Sequence, residues 1–550
     1  MHQSEMTRPS EKGEAVRRLG FLSIPIVVAV AAHLEFSWMG YTPTDDGWVL
    51  AGSRRILAGQ IPHRDFLALQ PAGSEFLHLP EVAFGGDHTY WISRLIVWLQ
   101  FAVIAWAWPE ILAKLTNSKP SRLQSIALGF LCFLFTSSTL FLTPWPTIDG
   151  LFLVSVGLLL CLRTGSLSKS LGYFLIGFSY VCKQNFVVVF PAALILLGDW
   201  KRIRYWATAI FPVFIYVGFL SVFGAVPHAL AQIAAQRSII EHGIKPYLMS
   251  KQVLAATAVG LGYAKLLLRK GSRTQDLGIC LGYLIILCSA LTLSAELYWF
   301  ASHTAFVLFG FVLGATLGLL ARFGASRETA TAGMLVLIVT WAMSISMGFN
   351  YPILGCGLLV LFLLQAPLAT TGRWFSYPRL SLIGMAALLI VSLVSYSVGR
   401  SQHIYRDRAA SQLTAKLDGV LPGGGLLRTN PNTYEFLSDL RLATKEVRGS
   451  QYAVVPGIPG YWVKADQLNP LLMDWPLAEA MPNPKMVDRL IENLAAQKGK
   501  IVLIVEKVEP TTLKKGFFPL SESLYPPAFL SYVRENFQKV GETRFFELRR

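Results

Sequence analysis

Charge is scarce in this chain. Only 15% of its 550 residues are Asp, Glu, Lys or Arg, against 53% hydrophobic ones, and the mean hydropathy is +0.47. That balance excludes a water-soluble globular protein of ordinary composition. Cysteine is scarce too: the six residues Cys132, Cys161, Cys182, Cys280, Cys288 and Cys356 fall in or beside apolar runs and none lies in the polar tail, so no disulfide framework is implied. Internal repeats and low-complexity tracts are missing. The tail lacks a metal-ligand cluster, a nucleophile elbow and a glycine-rich dinucleotide loop, which removes the usual marks of several soluble enzyme classes. The formal net charge of +16 would suggest nucleic acid in a soluble protein, but here many Lys and Arg flank apolar spans, where they orient helices. Nucleic-acid binding is not expected.

What the chain does have is a series of apolar runs of membrane-crossing length. They lie near 20–39, 91–113, 123–142, 147–162, 171–182, 186–198, 205–224, 252–268, 277–294, 300–320, 331–348, 352–370 and 380–398. Barrels and disorder are thereby excluded, and an α-helical polytopic membrane protein of about 11–13 transmembrane helices is expected. The runs at 171–182 and 186–198 are short and read either as one broken helix or as two half-spans around Lys183, Gln184 and Asn185. With thirteen spans, the clusters Arg17/Arg18, Lys114/Lys119/Arg122, Lys201/Arg202/Arg204 and Arg373/Arg379 all fall on the N-terminal side, which the positive-inside rule makes cytoplasmic. The basic lead before the first run has no small-residue cleavage site behind it, so that run reads as a retained span.

This places 40–90, 225–251 and everything after Arg400 on the external side. Residues 1–399 are expected to form the transmembrane domain and 400–550 a soluble, extracytoplasmic α/β domain. In that tail, helix-like stretches (Arg406 to Leu417, Lys485 to Gln497, Pro527 to Phe537) alternate with strand-like ones (Tyr452 to Val455, Ile501 to Val505, Arg544 to Leu548), a normal domain pattern.

The most informative stretch runs from Tyr41 through Asp45-Asp46-Gly47 to Phe66. Thr44, Asp45 or Asp46 can cap a helix that runs to about Ala58, with Gly59 and Pro62 stopping it. Trp48, Val49, Ile56 and Leu57 would let that helix lie in the interface plane, with its carboxylates at the mouth of the bundle. A carboxylate there can accept a proton from an attacking hydroxyl, and the paired Arg54 and Arg55 can neutralise a departing phosphate. Taken alone, Asp-Asp-Gly equally describes a helix cap beside solvated arginines.

In combination, the first span, the external acidic pair, the Gly-Gln-Ile-Pro-His-Arg-Asp-Phe stretch, the many further spans and the soluble tail resemble the GT-C superfamily of membrane glycosyltransferases. Within it, the resemblance is to bacterial relatives of the protein O-mannosyltransferases and of the lipid A aminoarabinose transferases. There an Asp-Glu or Asp-Asp pair opens the first external loop and supplies the catalytic base for a polyprenyl-phosphate sugar. The matching positions are Asp45 and Asp46. Gly59, Pro62, His63, Asp65 and Phe66 match a Gly-x-x-Pro-Tyr-x-Asp-Phe stretch, with histidine replacing tyrosine.

The resemblance implies an inverting glycosyltransferase that moves a sugar from a polyprenyl-phosphate donor to a lipid, glycan or protein acceptor. It would work at the outer face of a bacterial cytoplasmic membrane, in contact with membrane lipid. Arg54, Arg55 and Lys183 are the donor-phosphate candidates, by location and charge, and His63, Arg64 and Asp65 are expected in the substrate cavity. The lipid phosphate is already a competent leaving group, so no metal and no other cofactor is expected. A transporter or flippase of lipid-linked glycan, and a non-catalytic envelope assembly protein, are the competing readings.

Other polar residues beside the spans are candidates because burying them in a bilayer is costly. Asp149 can be a helix-start carboxylate aimed into the same cavity. Gln232, Gln236, Arg237, Glu241, His242 and Lys245 have helix-like spacing, Glu296 and His303 flank an aromatic belt, and the Asn430 to Tyr434 and Ile458 to Trp462 stretches read as aromatic and polar loops.

Overall fold

In the computed structural model the described residues are 11–234, 243–295, 297–321, 325–346, 349–476, 478, 481, 483–507 and 526–550. They form a helical bundle followed by a C-terminal α/β domain. Five helices among them are long and apolar enough to cross a membrane: Gly86–Leu115, Ile203–Val222, Ser272–Thr292, Pro352–Thr371 and Pro378–Gln402. Ser23–Phe36, Pro146–Cys161, Gln184–Leu196 and Phe306–Leu320 are shorter apolar helices. The runs at 171–182 and 186–198 are separate: one helix spans Ser166–Cys182, Lys183 is extended, and a 3-10 turn Gln184–Val188 leads into Val189–Leu196.

Small residues let these helices approach closely, as bundle packing in lipid favours. A Cβ on Gly157 would stand 2.7 Å from the Gly172 carbonyl oxygen, so the Pro146–Cys161 and Ser166–Cys182 helices touch backbone to backbone there.

The C-terminal domain is built on a four-stranded sheet. Gln451–Val455 pairs in parallel with Ile501–Glu506; Phe546–Arg549 follows antiparallel, and Lys539–Glu542 forms the edge. Alternation along the strands divides the core into two layers. Tyr452, Val454, Val502 and Ile504 pack under Phe436, Leu437 and Leu440 of the helix Pro431–Glu446. Ala453, Val455, Leu503 and Val505 pack against Leu490 and Leu494 of Pro484–Ala496 and Phe529 and Val533 of Pro527–Asn536. The loop 40–90 enters both layers: Tyr41, Leu50 and Tyr90 belong to the first, and Leu67, Leu69 and Trp48 adjoin the second.

Three expectations for the tail change. Arg406 to Leu417 is not a helix but a 3-10 turn, Ala410–Gln412, and a two-residue strand, Ala415–Lys416. Asn430 to Tyr434 is a helix start, because the Asn430 side chain accepts the Thr433 N–H and Pro431 occupies the first turn, a strong N-terminal signal. The Pro459–Trp462 stretch is likewise a short helix.

Candidate functional site

The acidic pair occupies the turn between the first span and the helix Trp48–Leu57. That helix is not capped by Thr44, Asp45 or Asp46. It starts behind Gly47, whose φ of 87° is left-handed, and a Cβ there would lie 2.8 Å from the Gly460 Cα. The third residue of Asp-Asp-Gly is therefore glycine for two reasons, handedness and the close approach of the C-terminal domain. The helix's apolar residues are unevenly covered, with Val49 buried, Trp48 and Ile56 partly buried and Leu57 exposed. Leu50, Ala51, Gly52, Ser53 and Arg55 are buried as well, and the C-terminal domain packs against the helix.

Freed from capping, the carboxylates turn to a shared cavity. Asp45 and Asp46 line it together with Arg94, Arg400, Arg406, His403 and Tyr405, and Phe36, Leu140, Phe141, Leu142 and Leu293 give it an apolar side. The walls come from the end of Glu11–Phe36, the connector after Arg122–Thr139, and the last turn of Pro378–Gln402 with the chain beyond it.

The two carboxylates differ in their surroundings. Asp46 is 5% exposed; its Oδ2 accepts the Thr42 N–H at 3.0 Å and lies 3.3 Å from an Arg94 nitrogen. Burial raises its pKa above the ordinary carboxylate range and the neighbouring Asp45 charge adds to this, with Arg94 and Thr42 opposing. Asp45 accepts from the Tyr405 hydroxyl at 2.6 Å and pairs with Arg406 at 2.9 Å.

The cations are also unequal. Arg94 donates to the carbonyls of Ser37, Met39 and Gly40, so its role is to gather the end of the first span around Asp46. Arg400 donates to the Ser137 carbonyl and stacks over Trp98 and Tyr396, at 5.3 and 5.8 Å to the ring centroids. Its buried Nε has no partner.

Arg54, Arg55 and Lys183 are not among the residues lining this cavity. Arg55 is buried in a two-point pair with Asp474, at 2.7 and 2.8 Å, and also donates to Gln60 and the Leu471 carbonyl. Arg54 donates to the Trp462 carbonyl. Lys183 is 1% exposed and donates to the Thr147 hydroxyl and the Met343 carbonyl, which ties three helices together.

His63, Arg64 and Asp65 lie outside the cavity too. His63 has φ 68° and is sealed between Gln232 and Tyr216, both at 2.7 Å. The Gln232 Nε2 donates to the His63 carbonyl, so its Oε1 faces Nδ1 and the ring proton sits there, while the Tyr216 hydroxyl, which accepts the Ala72 N–H, donates to Nε2. The imidazole is thus neutral, and burial lowers its pKa to about 4. Asp65 caps the Ile61 N–H and pairs with Arg64, while Arg489 of the C-terminal domain clamps the His63 and Arg64 carbonyls. The Gly-x-x-Pro stretch is a docking turn.

Asp149 is placed deeper, in a buried polar chain with His78 at 3.1 Å and Gln100 at 2.7 Å; Glu81 holds the other ring nitrogen of His78 at 2.6 Å. Burial by itself would lower the His78 pKa, but Asp149 and Glu81 outweigh it and hold it up at about 10. Gln236, Arg237, Glu241 and His242 lie outside the described residues, as does Glu296, and the His303 side chain is not among those described. Among the described residues, no group of three or more His, Cys, Asp or Glu is arranged to hold a metal.

The residues missed from sequence are Arg94, Arg400, Tyr405 and Arg406. Arg94 had a signal, an arginine one turn inside a 27-residue apolar helix. Arg400 lines the same cavity as the acidic turn, a proximity that joins positions more than 350 residues apart.

No family model matches the chain, and no curated protein matches it. Among solved structures, it is similar to the crystal structure of ArnT from Cupriavidus metallidurans bound to undecaprenyl phosphate, at 11% identity and a TM-score of 0.36, over 96% of this chain and 97% of that one.

Proposed function

We propose that the chain is an inverting glycosyltransferase of the GT-C type, which takes a sugar from a polyprenyl-phosphate donor at the outer face of a bacterial cytoplasmic membrane. The observation that carries this reading is a single one: Asp45 and Asp46 share a cavity with Arg400 and Arg406 at the end of apolar helices. A carboxylate and a guanidinium facing one hollow are what the transfer requires at its two ends.

Asp46 is the favoured base, since burial raises its proton affinity. The acceptor hydroxyl oxygen bonds to the anomeric carbon from the face opposite the phosphate, and its proton passes to the carboxylate. The bond from the anomeric carbon to the phosphate oxygen breaks, and the polyprenyl phosphate leaves with that electron pair towards Arg400 and Arg406. The apolar wall of Phe36, Leu140, Phe141 and Leu293 suits the first isoprene units. Arg54, Arg55 and Lys183 drop out of the proposed donor site because backbone and carboxylate partners already hold them.

The test is transfer from radiolabelled prenyl-phosphate sugars in membranes containing the native chain, Asp45→Asn or Asp46→Asn. Loss in Asp46→Asn, with an acid limb of the rate profile above the ordinary carboxylate range, supports the reading. Normal turnover in both variants overturns it.

A further inference from the structure

A second hollow, open-mouthed and of about 450 Å³, stands at the far end of the bundle from the acidic cavity. The connector before Pro146–Cys161 lines that cavity, whereas the end of the same helix, about 24 Å further on at 1.5 Å per residue, lines the hollow through Cys161 and Leu162. Arg163 follows that helix, Lys169 stands in the first turn of Ser166–Cys182, and Arg202 and Arg204 flank the start of Ile203–Val222. All four line the hollow.

Three of these cations gather on one buried ring. The Lys169 Nζ and the Arg202 and Arg204 guanidinium carbons stand 6.0, 6.0 and 4.6 Å from the Tyr205 centroid, and Tyr205 is fully buried. Among the described residues one carboxylate pairs with them: Asp199 takes Lys169 at 2.7 Å and Arg202 at 3.5 Å. Arg204 spends one donor on the Tyr205 hydroxyl, at 2.8 Å, and the exposed Arg163 side chain makes no hydrogen bond or ion pair among the described residues. Positive charge is left in excess, with N–H donors unspent.

Beside the hollow the surface turns apolar. Leu167, Trp200 and Ile203 are 82, 52 and 79% exposed, and Ile203, Ala207, Phe211 and Phe214 make an exposed stripe at helical spacing down Ile203–Val222.

We propose that the hollow holds the phosphate of an anionic phospholipid in the leaflet opposite the acidic cavity, with the acyl chains along the stripe from Ile203 to Phe214. Guanidinium forks match phosphate oxygens, and Thr164 and Ser166 bring hydroxyls to the rim. Basic pockets between helix ends at the membrane surface are where anionic headgroups lodge. A free phosphate ion offers the same oxygens but leaves the stripe uncovered, and a zwitterionic lipid brings an ammonium into the field of four cations. Occupancy does not depend on the transfer reaction.

The experiment is native mass spectrometry of the full chain in neutral detergent, titrated with dioleoylphosphatidylglycerol and, in parallel, with dioleoylphosphatidylethanolamine or ammonium phosphate. One phosphatidylglycerol should bind about tenfold more tightly than phosphatidylethanolamine. Arg163→Gln should weaken it about fivefold, and Arg163→Gln with Arg202→Gln and Arg204→Gln about a hundredfold. The control removes as many cations at the same end of the bundle, with Arg269→Gln, Lys270→Gln and Arg273→Gln around the connector into Ser272–Thr292, whose other end lines the acidic cavity. It should change the affinity by less than about twofold. All six positions are exposed, so each variant should keep its thermal midpoint. Equal loss from the two triple variants overturns the proposal, since it marks diffuse attraction. Equal affinity for the two lipids, phosphate ion bound as tightly as phosphatidylglycerol, or no retained lipid overturns it as well.

Discussion

Two stretches of the loop 40–90, the acidic residues 41–46 and the mainly basic residues 54–65, put their charges to different uses. Residues 41–46 open onto a cavity, with Asp45 and Asp46 facing Arg400 and Arg406. Residues 54–65 are consumed by the C-terminal domain, with Arg55 on Asp474, Arg54 on the Trp462 carbonyl and the His63 turn under Arg489. A charge is available for chemistry when its partners leave a donor or acceptor unspent, and residue type alone does not report that. Of the four ionic residues between positions 45 and 55, Asp45 and Asp46 thus face the cavity, whereas Arg54 and Arg55 are held in the packing against the C-terminal domain.

The sharpest way to break this comparison is to neutralise one member of each stretch. Asp46→Asn keeps size and removes the proton acceptor, so transfer should fall by about a thousandfold, the middle of the range for positioned general bases, with little change in unfolding temperature. Arg55→Ala should do the reverse. It leaves Asp474 buried without its counter-charge, a loss of about 3 kcal/mol, visible as a lower thermal midpoint, while the surviving folded fraction keeps its turnover. Arg55→Met with Asp474→Leu should recover much of that stability, because an apolar pair of similar volume replaces a desolvated ion pair. Equal damage to turnover from Asp46→Asn and Arg55→Ala would erase the distinction between the two stretches.

A smaller effect is expected at the cations. Arg400→Ala should cost about tenfold in transfer, the loss of one charge-assisted contact to a departing phosphate. Arg400→Lys should restore only part of it, because an ammonium cannot reproduce both the stacking on Trp98 and Tyr396 and the in-plane bonds. Arg54→Ala, one residue from the buried Arg55, should leave transfer within about twofold. A reversed order would return the donor site to residues 54 and 55.

Much of this was legible in sequence where physics is local. The apolar runs, the strands at 451–455 and 501–506 and the helices after Asn483 and Pro526 follow from periodicity and capping. The acidic pair was legible as a position next to the first span. What was not legible is which cation it meets, because Arg406 reaches Asp45 across a separation of 361 residues and Arg400 is recruited by the same closure. The start of the helix after Gly47 was misjudged for the same reason: Gly47 abuts Gly460, and Val49, Leu50 and Ala51 are buried, in packing with a domain that begins some 350 residues later. His63 shows the opposite case, an ionisable residue that invited a functional role and is spent on holding a turn.

The smallest effect is a pH dependence that separates Glu75 from its neighbours. Its pKa stands at about 8 in the folded chain against an ordinary 4.5, so between these values the folded state holds a proton that the unfolded state has released. Stability from this group is therefore fully present below pH 4.5 and declines as pH rises towards 8. Other groups of the same loop are shifted as well, among them Asp46, raised like Glu75 by burial, and two histidines. His78, at about 10, gives a decline between 6.5 and 10, and His63, at about 4, gives a rise between 4 and 6.5. The wild-type curve mixes all of these, whereas the difference between wild type and Glu75→Gln isolates the carboxyl, since the amide cannot ionise. Thermal midpoints in detergent, taken at half-unit steps, should show wild type losing ground to Glu75→Gln steadily from about pH 5 to pH 8 and running parallel to it above that. A flat difference would mean that Glu75 is already ionised at neutrality.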